Sequence, residues 1–156
     1  MIILEEFPTH IAKTNNKIAP NKMLKINNQA IYNGFISRFT RNIVVNNMKD
    51  YVKSNISKNL QIHNFPVYIE FHIYTVRNHG SISMRNGKVC WKPSKKDYKP
   101  NWDIENLATA WIKVICDSLI DLKIIPDDNV EFVKGISYKF IEVEQLQDRK
   151  IKIIIK

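Results

Sequence analysis

Carboxylates at both ends of one helix-sized segment are the residues of this chain best suited to chemistry. Asp103 and Glu105 stand two apart where the segment begins, and Asp128 follows it within a P-D-D-N sequence at residues 126–129. Carboxylate oxygens are the ligands that hard divalent cations prefer. If the three side chains converge, they would hold one or two Mg²⁺ ions, with Mn²⁺ as a substitute, for phosphodiester hydrolysis.

Each half of this pattern also has a purely structural explanation. Asp103 is a good helix N-cap, and Glu105 and Asn106 suit a first helical turn, where the helix dipole favours negative charge. The P-D-D-N sequence makes an ordinary turn. Convergence requires that the chain fold back after the helix, or that Asp103 and Glu105 lie on an extended lead-in. The residues alone leave both explanations open.

The charge of the chain favours a polyanionic partner. The 156 residues carry a formal net charge of +9. Residues 1–59 have nine basic and three acidic groups, residues 60–102 have seven and two, and residues 103–156 have eight and ten. Most acidic groups therefore lie in the third that holds the suspected metal site. A soluble protein with an unevenly charged surface would have the same composition.

A basic stretch before the second helix is the candidate DNA contact. An Asn-Gly pair at residues 86–87 predicts a hairpin between residues 82–84 and 89–91. Lysines supply phosphate contacts and aromatic rings stack on unpaired bases. The candidate DNA-binding residues are Lys88, Trp91, Lys92, Lys95, Lys96 and Lys99. A merely solvated loop is an equal alternative.

Hydrophobic periodicity predicts the elements that position these residues. Strands are predicted at residues 1–7, 66–76, 130–140 and 150–155, helices from about 28 to 53 and from 107 to 122, and a polar connection at 8–26. Gly34 weakens the start of the first helix, and Gly135 marks a possible bulge. The order predicts one α+β domain over residues 1–156, with two main helices packed on a mixed sheet.

Two helical faces and one strand face are predicted to form the core. The hydrophobic fraction of 44% is ordinary for a globular protein. The buried positions are expected at Ile31, Phe35, Phe39, Ile43, Met48, Tyr51 and Val52 of the first helix, at Val67, Ile69, Phe71 and Ile73 of the central strand, and at Leu107, Trp111, Val114, Ile115, Leu119 and Leu122 of the second helix.

The cysteines and the N-terminal residues argue against zinc, secretion and membrane insertion. Cys90 and Cys116 have neither CxxC nor paired histidine spacing. Acidic residues at positions 5 and 6 interrupt the first apolar run before a signal-peptide core forms. No apolar stretch approaches the roughly 20 residues that span a bilayer. We expect a cytoplasmic protein without membrane contact.

The two acidic motifs, in this order and followed by a strand, resemble the RusA family of Holliday junction resolvases. In that family a D-x-D-N-L motif opens a helix, and a hydrophobic-x-D-D turn leads into the next strand. Residues 100–140 match well, and the rest agrees in outline. The resemblance implies a RusA-like fold and a homodimeric, magnesium-dependent endonuclease, typical of phages and prophages, that nicks four-way DNA junctions symmetrically in recombination and repair. It implies that Asp103, Glu105 and Asp128 are the catalytic and metal-binding acids.

The chain departs from the family pattern at three points. Glu105 replaces the usual Asp and lengthens one ligand by a methylene. Thr109 occupies the position of a family Lys, and Lys113, one turn further on the same face, is the candidate catalytic lysine for a phosphate contact, with a solvated lysine as the alternative. The segment between the motifs is about one turn longer. A catalytically inactive junction-binding protein and a phage structural protein therefore stay open as alternatives.

Overall fold

Three α-helices, one short 3₁₀ helix (Leu146–Asp148) and eight strands are distributed along the part of the chain that the structure describes. The structure is a computed structural model that describes residues 1–8, 10–13, 23–26, 28–34, 36–57, 60–76, 81–85, 88–92 and 104–156. In chain order the elements are β1 (Ile2–Glu5), β2 (His10–Ala12), β3 (Met23–Lys25), α1 (Asn28–Tyr32), α2 (Arg38–Asn55), β4 (Val67–Thr75), β5 (Ser81–Arg85), β6 (Lys88–Lys92), α3 (Ile104–Asp121), β7 (Val133–Glu142) and β8 (Lys150–Ile155).

The central sheet is mixed. Its four strands have the order β1-β8-β4-β7. Strand β8 runs antiparallel to both β1 and β4, whereas β4 and β7 are parallel. Parallel strands need a long crossover, which here contains the β5–β6 hairpin and α3. The predicted α+β class, with helices packed on a mixed sheet, is confirmed.

One face of this sheet builds the core together with the helices. The predicted alternation of β4 is confirmed, since Val67, Ile69, Phe71 and Ile73 are all buried. They belong to one cluster with residues of α2 and α3. Trp111 of α3 is fully buried, with its ring 5.9 Å from that of Phe7 and 5.6 Å from that of Tyr51, both edge to face. These contacts fix α3, the helix that carries the candidate site.

The first predicted helix is divided in two. Gly34 has a φ of +84°, a left-handed conformation that ends the helical path after α1. A new start follows at Ser37, whose Oγ accepts a hydrogen bond from the Thr40 backbone N–H at 3.1 Å. The weakness that Gly34 introduces in the sequence is therefore a complete break.

The break changes which residues of α2 are buried. Its buried residues are Val44, Met48 and Val52. Phe39, predicted to be buried, is 73% exposed because it lies in the first turn of the new helix, away from this stripe. That prediction is wrong, while the one for Phe35 falls outside the described residues.

Two hairpins accompany the central sheet. Strands β2 and β3 pair between His10↔Lys25 and Ala12↔Met23, where the sequence predicted only a polar connection. Strands β5 and β6 pair from Ser81↔Lys92 to Arg85↔Lys88. The second pairing confirms the hairpin that the Asn-Gly pair predicts.

Strand β7 begins later than predicted. Val130 is 83% exposed and lies in a turn rather than a strand. The bulge expected near Gly135 is confirmed, because Val67 pairs with Val133 while Tyr68 pairs with Gly135. A Cβ atom at Gly135 would lie 3.0 Å from Cδ1 and Cε1 of Tyr68. A side chain at this position would therefore require the Tyr68 ring to shift by a few tenths of an ångström.

Candidate functional site: the return of the chain along α3

The chain reverses direction at the end of α3. Lys123 has a φ of +58°, and its N–H donates to the Ile120 carbonyl at 2.8 Å. The N–H of Ile124 donates to the Leu119 carbonyl at 2.9 Å. These two bonds form a Schellman motif. Ile124 and Ile125 are then buried and attach the returning segment to the core. The chain therefore turns back at the end of α3, which meets one of the two conditions for convergence but does not by itself bring the carboxylates together.

The turn after this reversal gives its two aspartates different roles. The carboxylate of Asp127 accepts hydrogen bonds from the Asp128 N–H at 2.8 Å and from Nδ2 of Asn129 at 2.7 Å. Oδ1 of Asn129 accepts from the Glu131 N–H at 2.9 Å. Asp127 is thus the structural residue of the turn. The exposed Asp128 carboxylate accepts no hydrogen bond from any residue that the structure describes.

Asp128 lies beside the second half of α3. Burial raises the pKa of the Cys116 thiol to about 12, and the negative charges of Asp128 and then of Asp117 add to this effect. Asp128 is therefore close enough to this part of the helix to act on Cys116. Glu105 is exposed in the first turn of α3, about 16 Å along the helix axis from Cys116.

The three predicted metal ligands are described only in part. Glu105 lies in the first turn of α3, and Asp128 lies on the segment that follows the helix. Within residues 104–156 and the other described ranges, no group of three or more His, Cys, Asp or Glu side chains is arranged to hold a metal ion. Asp103, the third predicted ligand, lies outside the described residues. The joint coordination of a cation thus stays a prediction.

Polar residues at four-residue intervals form a stripe along α3, which we call the α3 stripe: Glu105, Thr109, Lys113 and Asp117. The Thr109 hydroxyl donates to the Glu105 backbone carbonyl at 2.8 Å. Nζ of the exposed Lys113 lies 4.9 Å from the centroid of the Tyr32 ring, a cation–π contact. Lys113 is thus held against α1 by the ring, with its charge still at the surface.

A polar cluster from all three helices surrounds this contact. The Tyr32 hydroxyl and Nε of Arg41 are buried and have no hydrogen-bond partner among the described residues. Burial raises the pKa of Tyr32, the negative charge of Asp117 raises it further, and Arg41 lowers it. Sequence reasoning missed this cluster because its members come from α1, α2 and α3, and no local pattern relates them.

Two lysines of α2 are bound to the acids at the end of α3. Nζ of Lys49 lies 3.1 Å from Oδ2 of Asp121 and 3.8 Å from Oδ2 of Asp117, and Nζ of Lys53 lies 2.7 Å from Oδ2 of Asp121. The hydrogen bonds from Lys53 and then Lys49 lower the pKa of Asp121. Asp117 and Asp121 thus stabilise the packing of α2 on α3. Asp128 has no such ion pair among the described residues and is therefore not assigned the same role.

The sheet face opposite the helices carries a second group of polar and charged side chains. Around Glu70 of β4, Nε2 of His72 lies at 2.6 Å, Nζ of Lys156 at 2.8 Å and Nζ of Lys139 at 3.5 Å. The hydrogen bonds from Lys156 and then His72 lower the pKa of Glu70 to about 2. Glu70 and Lys156 also line an open cavity of about 400 Å³ together with Tyr68.

The same face continues across β8. Nζ of Lys150 and Nζ of Lys152 lie 5.4 Å and 5.0 Å from the centroid of the Tyr74 ring. In the sheet, Tyr74 is the register partner of Lys150. The sequence predicts only that residues 150–155 form a strand. Their assembly into one basic, aromatic surface follows from strand order, which the sequence does not state.

The predicted DNA-binding residues fall on the part of the chain that is described least. Lys88, Trp91 and Lys92 lie on β6, of which the structure describes the backbone. Lys95, Lys96 and Lys99 lie outside the described residues. The hairpin that begins this basic stretch is present, and its contact with DNA stays a prediction.

Comparison with protein-family models, with curated proteins and with solved structures finds no match for this chain. The helices that the structure describes include none with the length and apolar character needed to cross a membrane. A functional assignment therefore depends on the residues themselves and on their arrangement around α3.

Proposed function

We propose that this chain is a Mg²⁺-dependent, structure-selective DNA endonuclease that acts as a homodimer on four-way junctions, as the resemblance to the RusA family implies. The observation that carries the proposal is the reversal after α3, which places Asp128 beside the second half of the helix whose first turn holds Glu105. The turn uses Asp127 for its own hydrogen bonds and leaves the Asp128 carboxylate exposed.

The donor set fits a hard cation. Asp103, Glu105 and Asp128 would supply carboxylate oxygens, and water would complete an octahedral shell. Bound there, Mg²⁺ would lower the pKa of an attacking water and neutralise charge on the leaving oxygen. Glu105 and Asp128 are both exposed, so their carboxylates are accessible to a phosphate-bearing substrate.

Positive charge on and around α3 supports a polyanionic substrate. Lys113 and Arg41 lie on the helices around Tyr32, and Lys113 is exposed on the α3 stripe. The basic hairpin strand β6 precedes α3 directly in the chain. Contacts to phosphates from these groups would select the path of the DNA backbone rather than its base sequence. A twofold dimer would place one site on each of the two opposed strands.

The decisive experiment is cleavage of a synthetic four-way junction over a Mg²⁺ titration. We expect paired, symmetric nicks that depend on the cation. Asp128→Asn should reduce nicking by about 10²-fold or more, because it removes a charged ligand, while junction affinity changes by no more than about twofold. Asp127→Asn is the matched control, since it neutralises the neighbouring acid and should leave most nicking intact. Unchanged nicking by the Asp128→Asn variant would contradict the proposal.

A junction-binding protein without nuclease activity is the second candidate. It is favoured by Thr109, whose hydroxyl is bonded to the helix backbone at the position where the family pattern has a Lys. In that case the same assay would give salt-sensitive binding without nicking in either Mg²⁺ or Mn²⁺. Thr109→Lys is the informative variant, because it supplies the family residue on the same face as Glu105. Nicking that appears only with Thr109→Lys would identify lost chemistry in a binding protein.

A further inference from the structure

Strand β7 presents an edge of the central sheet that has no strand partner among the described residues. Its register with β4 pairs Ile136 with Ile69 and Tyr138 with Phe71, so each pair points to the same side of the sheet. On β4 these side chains are buried, at 1% and 0% exposure, whereas Ile136 is 45% and Tyr138 41% exposed. The core-facing side of β7 is therefore only partly covered at Ile136 and Tyr138, beside an open backbone edge.

We propose that this edge pairs antiparallel with β7 of a second copy of the chain, around a twofold axis that passes through Tyr138. This pairing would be the interface of the homodimer in the proposed function. The existence of the interface does not depend on nuclease activity, and only its role in junction cleavage rests on the proposed function. The pairing would join two four-stranded sheets into one continuous sheet through main-chain hydrogen bonds.

Symmetry restricts the register of such a pair. A twofold axis perpendicular to the sheet keeps the core-facing sides of both copies on the same side. It therefore pairs residues of equal parity, and with Tyr138 at the centre the numbers of opposed residues sum to 276. Ile136 then lies opposite Phe140 of the other copy, and Tyr138 lies opposite itself. This count holds from Gly135 to Glu142, and beyond it the bulge puts Val133 and Lys134 together at the position opposite Glu142.

This register is self-complementary in both apolar and charged residues. Apolar side chains oppose apolar ones at the centre, and a Lys opposes a Glu at each end. Tyr138 already makes an edge-to-face contact with Phe140, at 5.9 Å between ring centroids, and the second copy would extend this pair into an aromatic cluster. A shift by two residues in one direction would place Ile136 opposite Glu142, and in the other direction Lys134 opposite Phe140. Charge complementarity therefore selects one register and a second copy as the occupant.

The test is the mass of the free protein in solution, measured by analytical ultracentrifugation without DNA or divalent metal. We expect the wild-type chain to sediment at twice its mass of 18.3 kDa. Tyr138→Lys places two like charges on the axis and should raise the dimer dissociation constant at least about tenfold. Phe39→Lys is the matched control, because Phe39 is an aromatic residue that is 73% exposed on α2, and it should leave the dissociation constant unchanged.

Charge exchange tests the register itself. Lys134→Glu alone and Glu142→Lys alone each put like charges at both ends of the interface, and each should weaken the dimer about fivefold. When the two variants are mixed, one chain carries acids at both positions and the other carries bases at both. Opposite charges then face each other at both ends, so the mixture should recover dimers of wild-type strength. Circular dichroism of each variant verifies that the fold is intact.

The outcomes separate this inference from the proposed nuclease. A wild-type protein that is monomeric at all concentrations, or a charge-exchange mixture that associates no better than its components, overturns the β7 interface. Neither result depends on cleavage. Conversely, a dimer that responds to these variants but does not nick junctions keeps the interface and removes the proposed function.

Discussion

The left-handed residue that reverses the chain after α3 can be tested by one substitution. A residue with a Cβ atom in this conformation is strained by roughly 1–2 kcal/mol, and Lys123 has a φ of +58°. Glycine relieves that strain but adds conformational entropy to the unfolded state, which offsets about 0.4–1 kcal/mol. We therefore expect Lys123→Gly to raise the free energy of unfolding by about 0.5–1 kcal/mol, and the midpoint of thermal unfolding by about 1–4 °C.

The control is Lys123→Ala. Both variants lose the lysine charge near the end of α3, so the comparison of Gly with Ala isolates the effect of the Cβ atom. Ala keeps the strain and should give no gain in urea or thermal unfolding followed by circular dichroism. An alanine variant at least as stable as the glycine variant would refute the assignment of a strained Schellman motif here. The substitution lies outside the turn at residues 126–129, so the glycine variant should keep that turn and the position of Asp128.

Three further predictions concern the sheet and the core. Gly135→Ala should lower the free energy of unfolding by about 1 kcal/mol, because its methyl group would lie 3.0 Å from the Tyr68 ring. In a double-mutant cycle, the same substitution made in a Tyr68→Ala variant should cause no such loss. The pKa of Glu70 is lowered to about 2, so its stabilising contacts with Lys156 and its neighbours are complete above pH 4.5 and are lost as the pH falls from 4.5 towards 2. In urea unfolding across this range, the free energy of unfolding of Glu70→Gln should therefore fall less steeply with decreasing pH than that of the wild type. Burial holds the pKa of Cys116 at about 12, so alkylation by iodoacetamide, followed by mass spectrometry of its peptide, should be slow in the native protein and fast in urea; equal rates would contradict its burial.

The fold was predictable where one side of an element faces the core. The alternation of β4 and the apolar face of α3 gave both elements, because burial imposes a period of two on a strand and 3.6 on a helix. Residues 10–12 and 23–25 lack such a pattern, and their pairing across a polar connection was missed. Val130 continued the strand pattern in the sequence. In the structure it lies in a turn, where the N–H of Val133 donates to the Asn129 carbonyl at 2.8 Å.

The candidate site was predictable in its residue types and only partly in its arrangement. The sequence indicated the acids at both ends of α3 but did not distinguish Asp127 from Asp128 by geometry, since a turn can use either carboxylate. The contact of Lys53 with Asp121 could not be predicted, because the two residues are far apart in the chain and belong to different helices. The same limit applies to Lys150 and Tyr74, which become neighbours only through the strand order.

The position of β8 has a consequence for how the molecule folds. This strand follows every other strand of the central sheet in the chain, yet it lies between β1 and β4, which do not pair with each other. Strand β1 pairs only with β8 among the described strands, so Ile2 cannot form its strand contacts until Ile153 is in place. Closing so long a loop costs entropy before any contact compensates it, which slows folding. On the ribosome, we expect β1 and β4 to stay unjoined until synthesis has passed residues 150–155.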